Sequence, residues 1–243
     1  MSYAENPYRS LSYGSIAADA TVNERADFIR KTYLHLLGAV LAFTGVETVL
    51  LKTPGLAERF FQLLGTSRYS WLIVIGGFVL VSYVADKWAR SATSITTQYL
   101  GLGLFIVAEA VVFLPLLFIA ARYFDERVIP TAGLATLVVF TGLTAIVFMT
   151  GKDFSFLRTA LMLGGLVAMG CVIASVIFPQ FALGIVFSFA MIGLASGYIL
   201  YDTSNVLHHY RIGQHVAASL ALFASVALLF YYILQVVMSL SRR

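Results

Sequence analysis

The stretch GLATLVVFTGLTAIVFMT, residues 133–150, carries no charge and no alternation of apolar with polar positions. Such a run fits neither a half-exposed strand nor the wall of a β-barrel, both of which alternate. Comparable runs recur along almost the whole chain, each near the roughly 20 helical residues that a hydrocarbon core of about 30 Å requires. In lipid only helices and closed barrels satisfy their own backbone groups, so the pattern predicts one all-α, polytopic membrane domain. Composition agrees, with 60% of the 243 residues hydrophobic and 12% charged, against roughly 25% charged in soluble domains.

Seven spans are predicted: Thr32 to Leu51, Tyr69 to Ala85, Gln98 to Ala121, Val128 to Thr150, Leu157 to Phe178, Phe181 to Tyr201 and Val216 to Leu240. Residues 1–31 form a polar N-terminal tail and residues 32–243 the transmembrane domain. The tail lacks a short apolar core followed by a cleavage site, so the first span itself is expected to direct insertion. Little more than Pro179 and Gln180 joins the fifth and sixth spans, making them antiparallel neighbours.

A cytoplasmic N-terminus places 9 Lys or Arg inside and 7 outside, a narrow preference for that orientation. Moving Arg242 and Arg243 inside changes the split to 11 and 5, which favours an even number of crossings. Length argues the other way, because Val216 to Leu240 offers 25 residues without a charge, ample for a tilted crossing. The net charge of +4 is dispersed in short loops. It reports orientation and gives no sign of a nucleic-acid partner. Cys171, the single cysteine, lies in an apolar run and reads as a helix-packing residue. The same packing role is expected of Gly76, Gly77, Gly164, Gly165, Gly170, Gly193 and Gly197, since small residues let membrane helices approach closely.

Three carboxylates fall within or at the ends of spans, where an ionisable group costs on the order of 2.5 to 3.5 kcal/mol on insertion scales. Glu47 precedes Lys52 by five residues, and is expected to reach headgroup water as an interfacial charge. Glu109 has about ten apolar residues on either side and must face the bundle interior or a wet cavity; it reads equally as a site for protons or cations and as a satisfied structural carboxyl. Asp202 ends a run of about 21 apolar residues and is followed by Thr203, Ser204 and Asn205. These residues suit a helix end, where hydroxyls and amides bond released backbone groups, so Asp202 reads as a helix terminus or as a functional charge.

His208, His209 and His215 lie close to Asp202 in sequence, yet adjacent histidines point in different directions on a helix. His35 joins them only if the first helix packs at the same depth. No metal site is expected; His208 and His209 are candidate pH modulators, because histidine titrates near neutrality. Ser196, in Gly193-Leu194-Ala195-Ser196-Gly197, resembles the nucleophile of an intramembrane serine protease only in part, since Leu194 stands where that motif has glycine. No enzyme activity is expected.

Two segments carry a wider resemblance. Gly151-Lys152-Asp153-Phe154-Ser155-Phe156-Leu157 is similar to the short loop before the fifth helix of the Bax inhibitor-1 family, and Tyr198-Ile199-Leu200-Tyr201-Asp202-Thr203 resembles that family's end of the sixth helix. The resemblance implies a bundle with the last helix near its centre. It also implies a pH-sensitive calcium or cation leak, in which an aspartate at the position of Asp202 pairs with a second aspartate in the last helix. Two close carboxylates share a proton, which couples pH to motion. Here Ser225 stands where the second aspartate is usual, and no acidic residue follows Asp202. A serine supplies a hydrogen bond but no charge, so calcium binding is expected to be weak. No cofactor is implied. The expected partners are the lipid bilayer, calcium or protons, and other membrane proteins, since some bacterial members are associated with a membrane-anchored protease. The resemblance to prokaryotic members points to a bacterial inner membrane, with a eukaryotic organelle as the alternative.

Overall fold

A computed structural model describes residues 14–67, 69–92, 94–178, 180–181 and 183–241. Pro179, Arg242 and Arg243, invoked above, lie outside them, as do residues 1–13 of the tail. The described chain forms eight helices: α1 (Val22–Lys52), α2 (Leu56–Gly65), α3 (Ser70–Ala89), α4 (Ile95–Tyr123), α5 (Val128–Thr150), α6 (Leu157–Ile177), α7 (Ile185–His208) and α8 (His215–Ser241). All but α2 are long and apolar enough to cross a membrane.

Two boundaries and one additional helix differ most from expectation, for local reasons. α1 begins ten residues before the predicted span, because Thr21 and Glu24 form a reciprocal capping box that starts the helix in the polar tail. Asp27 then pairs with Arg30 at 2.9 Å and with Lys31 at 2.7 Å on this extension. α7 runs through Asp202 to His208 instead of stopping at Tyr201. α2 was not expected. Its Ala57 and Leu64 are buried, and Phe61 stacks obliquely on Phe118 of α4 with ring centroids 5.7 Å apart.

α8 is the central helix, in contact with α1, α3, α4, α5 and α7, while α6 packs chiefly on the outside of α7. Around α8 lies an aromatic cluster: Phe43 of α1 meets Phe113 of α4 at 5.1 Å and Phe223 of α8 at 5.9 Å. Phe113 also meets Phe230 at 5.8 Å and Tyr231 at 5.2 Å. The outer faces of α1, α5 and α6 expose Leu34, Leu41, Leu137, Val138, Leu166 and Val167, an apolar belt suited to lipid.

Glycine packing is selective. A Cβ on Gly197 would come within 2.7 Å of Leu161, one on Gly164 within 2.8 Å of Leu194, and one on Gly165 within 2.9 Å of the Tyr198 hydroxyl. These three hold α6 against α7, where Tyr198 donates to the carbonyl of Leu161 at 2.9 Å. Gly76, Gly77, Gly170 and Gly193 have no neighbour within 4 Å of such a Cβ, so the packing role expected of them does not apply. The tightest approach is at Gly101, whose Cβ would sit 2.6 Å from the backbone of both Ala85 and Ala89. That contact sets the α3–α4 crossing.

Candidate functional site

Asp202 lies within α7, six residues before the helix ends, and its side chain turns inward against α8 with only 8% of the residue exposed. It is therefore not a helix terminus. The polar residues after it continue the helix because each finds a partner or a packed position inside the protein. Ser225 of α8 donates its hydroxyl to Asp202 Oδ2 at 2.5 Å, a short charge-assisted geometry. The Arg90 guanidinium, at the end of α3, also acts on Asp202 electrostatically. Arg90 is itself held by Asp86, its Nε donating to the two carboxylate oxygens at 2.8 and 2.9 Å.

Tyr210, just beyond α7, completes this inner group. Its ring takes the Arg90 guanidinium 5.9 Å from the centroid, and its hydroxyl is hydrogen-bonded to Arg90. Burial pushes that hydroxyl up to about 12, against the counteracting charge of Arg90. Sequence reading singled out neither Arg90 nor Tyr210. The available signal was a cation at the end of a span, which looked like an orientation charge.

Glu109 does not join Asp202. It is buried in α4 and lies beside Tyr231 of α8, on which it acts electrostatically. Six residues separate Tyr231 from Ser225, about 9 Å of helical rise. Gln235, one turn beyond Tyr231 on α8, accepts from Ser188 of α7 at 3.0 Å. A second polar group thus occupies α4, α8 and α7, further along the central helix. Glu47 is not at an interface: it is 4% exposed, and neither carboxylate oxygen has a hydrogen-bond partner. Its helix continues to Lys52, but its side chain points into the bundle, so proximity to a helix end did not predict exposure.

The two segments that carried the resemblance meet in space. Ser204, two residues after Asp202, accepts from the Phe154 N–H at 2.8 Å and donates to Asp153 Oδ1 at 3.3 Å. His209 Nε2 reaches the other oxygen of Asp153 at 3.0 Å. His208 turns away and donates through Nδ1 to the Ser204 carbonyl at 3.0 Å. These contacts pin the α5–α6 loop to the end of α7. The Ser155 N–H, donating to Asp153 Oδ1 at 2.9 Å, leads in holding that carboxyl below the usual carboxylate range, with His209 adding to it.

The remaining histidines form a separate pair. His35 and His215 have ring centroids 4.8 Å apart, and His35 Nε2 lies 2.8 Å from the Tyr99 hydroxyl. Among the described residues, no three His, Cys, Asp or Glu side chains gather as metal ligands. Ser196 bonds the carbonyl of Ile192 at 2.8 Å, within its own helix. Beside Asp202, the buried hydroxyls of Tyr33, Thr144 and Thr203 approach one another without reaching hydrogen-bond geometry.

A multi-pass helical bundle with a central last helix, and a buried carboxyl held against that helix by a hydroxyl, defines a class of integral membrane protein. Within it, this chain belongs to the Bax inhibitor-1 family, matching the family described as "Inhibitor of apoptosis-promoting Bax1" over residues 25–242. It is 29% identical to an uncharacterized protein of Pseudomonas aeruginosa, covering 90% of this chain and 92% of that one. It is 25% identical to Protein lifeguard 4 of Mus musculus, over 96% and 93%. It is also 28% identical to the Modulator of FtsH protease YccA of Escherichia coli, over 88% and 90%.

Proposed function

We propose that the protein is a leak pathway for protons or small cations, with Asp202 as its main ionisable site and Ser225 as the partner of that site. The observation that supports this most is an acidic side chain buried against the central helix with a single hydroxyl partner. An ionisable group in that setting is expensive and is expected to mark an ion path. Glu109, beside Tyr231 further along α8, is a second station on the path. His209 modulates it through the loop it helps to pin, and His208 through its bond to the Ser204 carbonyl within α7.

One carboxylate and one hydroxyl offer three oxygens, whereas calcium takes 6 to 8. Calcium therefore binds weakly, and protons or monovalent ions are the better cargo. The chain sits in a bacterial inner membrane with its N-terminus in the cytoplasm, and it carries out no covalent chemistry. The test is flux from the purified protein in proteoliposomes, under imposed proton and calcium gradients across a range of pH. Flux above that of protein-free vesicles is expected, and no flux under any gradient contradicts the reading.

A second reading is a non-transporting regulator that binds other membrane proteins. It is favoured by the name of one relative, a modulator of FtsH protease. Copurification of a stoichiometric membrane partner together with absent flux selects this reading.

A further inference from the structure

We propose that residues 14–17 form a strap that closes the N-terminal-side mouth of the bundle over Asp202, acting through Tyr210 as the gating side chain. The proposal rests on Asp202 being the ion site and adds what controls access to it.

The strap is built of backbone contacts. Residues 14–17 run antiparallel to 210–212, with the Gly14 N–H donating to Ile212 O at 3.1 Å, Ala17 N–H to Tyr210 O at 2.8 Å, and Ile212 N–H to Ser15 O at 3.0 Å. Ile16 and Arg211 are the facing pair between these bonds. Ala17 is fully buried, so the segment is packed into the protein and does not lie loosely on it. The loop it holds is short, with α7 ending at His208 and α8 beginning at His215. Within that loop the Arg211 N–H is also fixed by the Gln214 side chain at 2.9 Å.

Tyr210 connects strap to site. Its carbonyl accepts from the strap, while its side chain is buried and bonded to Arg90. Arg90 acts electrostatically on Asp202, and Asp202 in turn on Tyr210. A strap seated on the Tyr210 carbonyl therefore fixes the ring that carries Arg90, 5.9 Å from its centroid, and through Arg90 the charge that Asp202 feels. Releasing the strap frees the 209–214 loop to swing, taking the ring from Arg90 and admitting water to Asp202.

Access is read by amidation with a water-soluble carbodiimide and glycine ethyl ester. Between Arg158 and Arg211 the chain has a single acidic residue, Asp202. Mass spectrometry of that tryptic segment therefore reports one site, and where Arg211 is replaced the longer segment to Arg242, read after reduction, still has Asp202 as its single acidic residue. Ala17→Pro removes the 2.8 Å strap bond and is expected to speed labelling at least about fivefold, because proline has no N–H to donate. Ile16→Cys with Arg211→Cys, in a Cys171→Ala background, gives a reversible lock. Facing residues of a non-hydrogen-bonded antiparallel pair lie about 4.5 Å apart at Cα, within disulfide range.

The oxidised form is expected to label at least about threefold more slowly than the reduced form. Equal rates for the oxidised and reduced forms overturn the strap, and so does a native rate in a folded Ala17→Pro variant. If Ala17→Pro does not fold, the lock alone decides. Faster labelling on strap release with no ion flux keeps the strap and removes the leak. Asp202-dependent flux with unchanged labelling does the reverse.

Discussion

Ser225 faces Asp202 at 2.5 Å in a position where a second carboxylate would share its proton. Ser225→Asp is therefore expected to tighten calcium binding by about tenfold, worth roughly 1.4 kcal/mol, as measured by calorimetry in detergent. The substitution should also introduce a two-step titration. Unchanged calcium binding would show that the α7–α8 contact is not an ion-binding geometry. Asp153 behaves differently because its carboxyl is held below the ordinary range. A depressed carboxyl contributes stability that is fully present above its unfolded value near 3.9 and is lost as pH falls through the lower folded value. The loop pinned by Asp153 should therefore stay protected from hydrogen exchange between about pH 5 and 8. Loss of Phe154 amide protection already at pH 5 would contradict that assignment. Ser204→Ala removes the acceptor of the Phe154 N–H. It should cost about 0.5–1.5 kcal/mol and raise exchange at that amide.

Helix boundaries were legible where lipid and polarity change together, and illegible where they do not. Hydropathy marks where the membrane run ends, and Asp202 to Asn205 ended one, yet α7 continues to His208, with Ser225 the partner of Asp202 and Asp153 the partner of Ser204. The start of α1 was written in Thr21-Val22-Asn23-Glu24, a capping box that the span pattern overrode. α2 has ten residues, too few to cross a bilayer, so a search for spans passes over it. Glycine content marked some packing positions and missed others: Gly164, Gly165 and Gly197 pack as expected, Gly193 meets nothing, and Gly101, not singled out, meets the backbone at both Ala85 and Ala89. Gly101→Ala forces a methyl to within 2.6 Å of the Ala85 carbonyl and the Ala89 nitrogen, neither of which has a side chain's freedom to turn aside. It should destabilise the protein by about 1–3 kcal/mol, lowering the detergent-solubilised melting temperature, whereas Gly193→Ala should leave it unchanged.

The bundle hides its centre from hydropathy. α6 and α8 are about equally apolar over their most hydrophobic stretches, yet the protein buries 11% of that stretch in α6 and 56% in α8. Lipid is as apolar as a protein core, so both kinds of surface are written in the same residues. The central place of α8 came from family resemblance, and its polar positions, Ser225, Tyr231 and Gln235, acquire meaning only once α4 and α7 are laid against it. That placement also separates Glu109 from Asp202: one carboxyl meets Ser225, and the other lies beside Tyr231, further along α8. Asp202 carries the proposed leak, and Asp202→Asn keeps the size and a hydrogen-bonding group while removing the charge. The decisive measurement is proton and cation flux through this variant in proteoliposomes, beside the native protein at each pH. A loss of about tenfold or more is expected, corresponding to at least about 1.4 kcal/mol in the rate-limiting step. Flux equal to the native protein at every pH would contradict it.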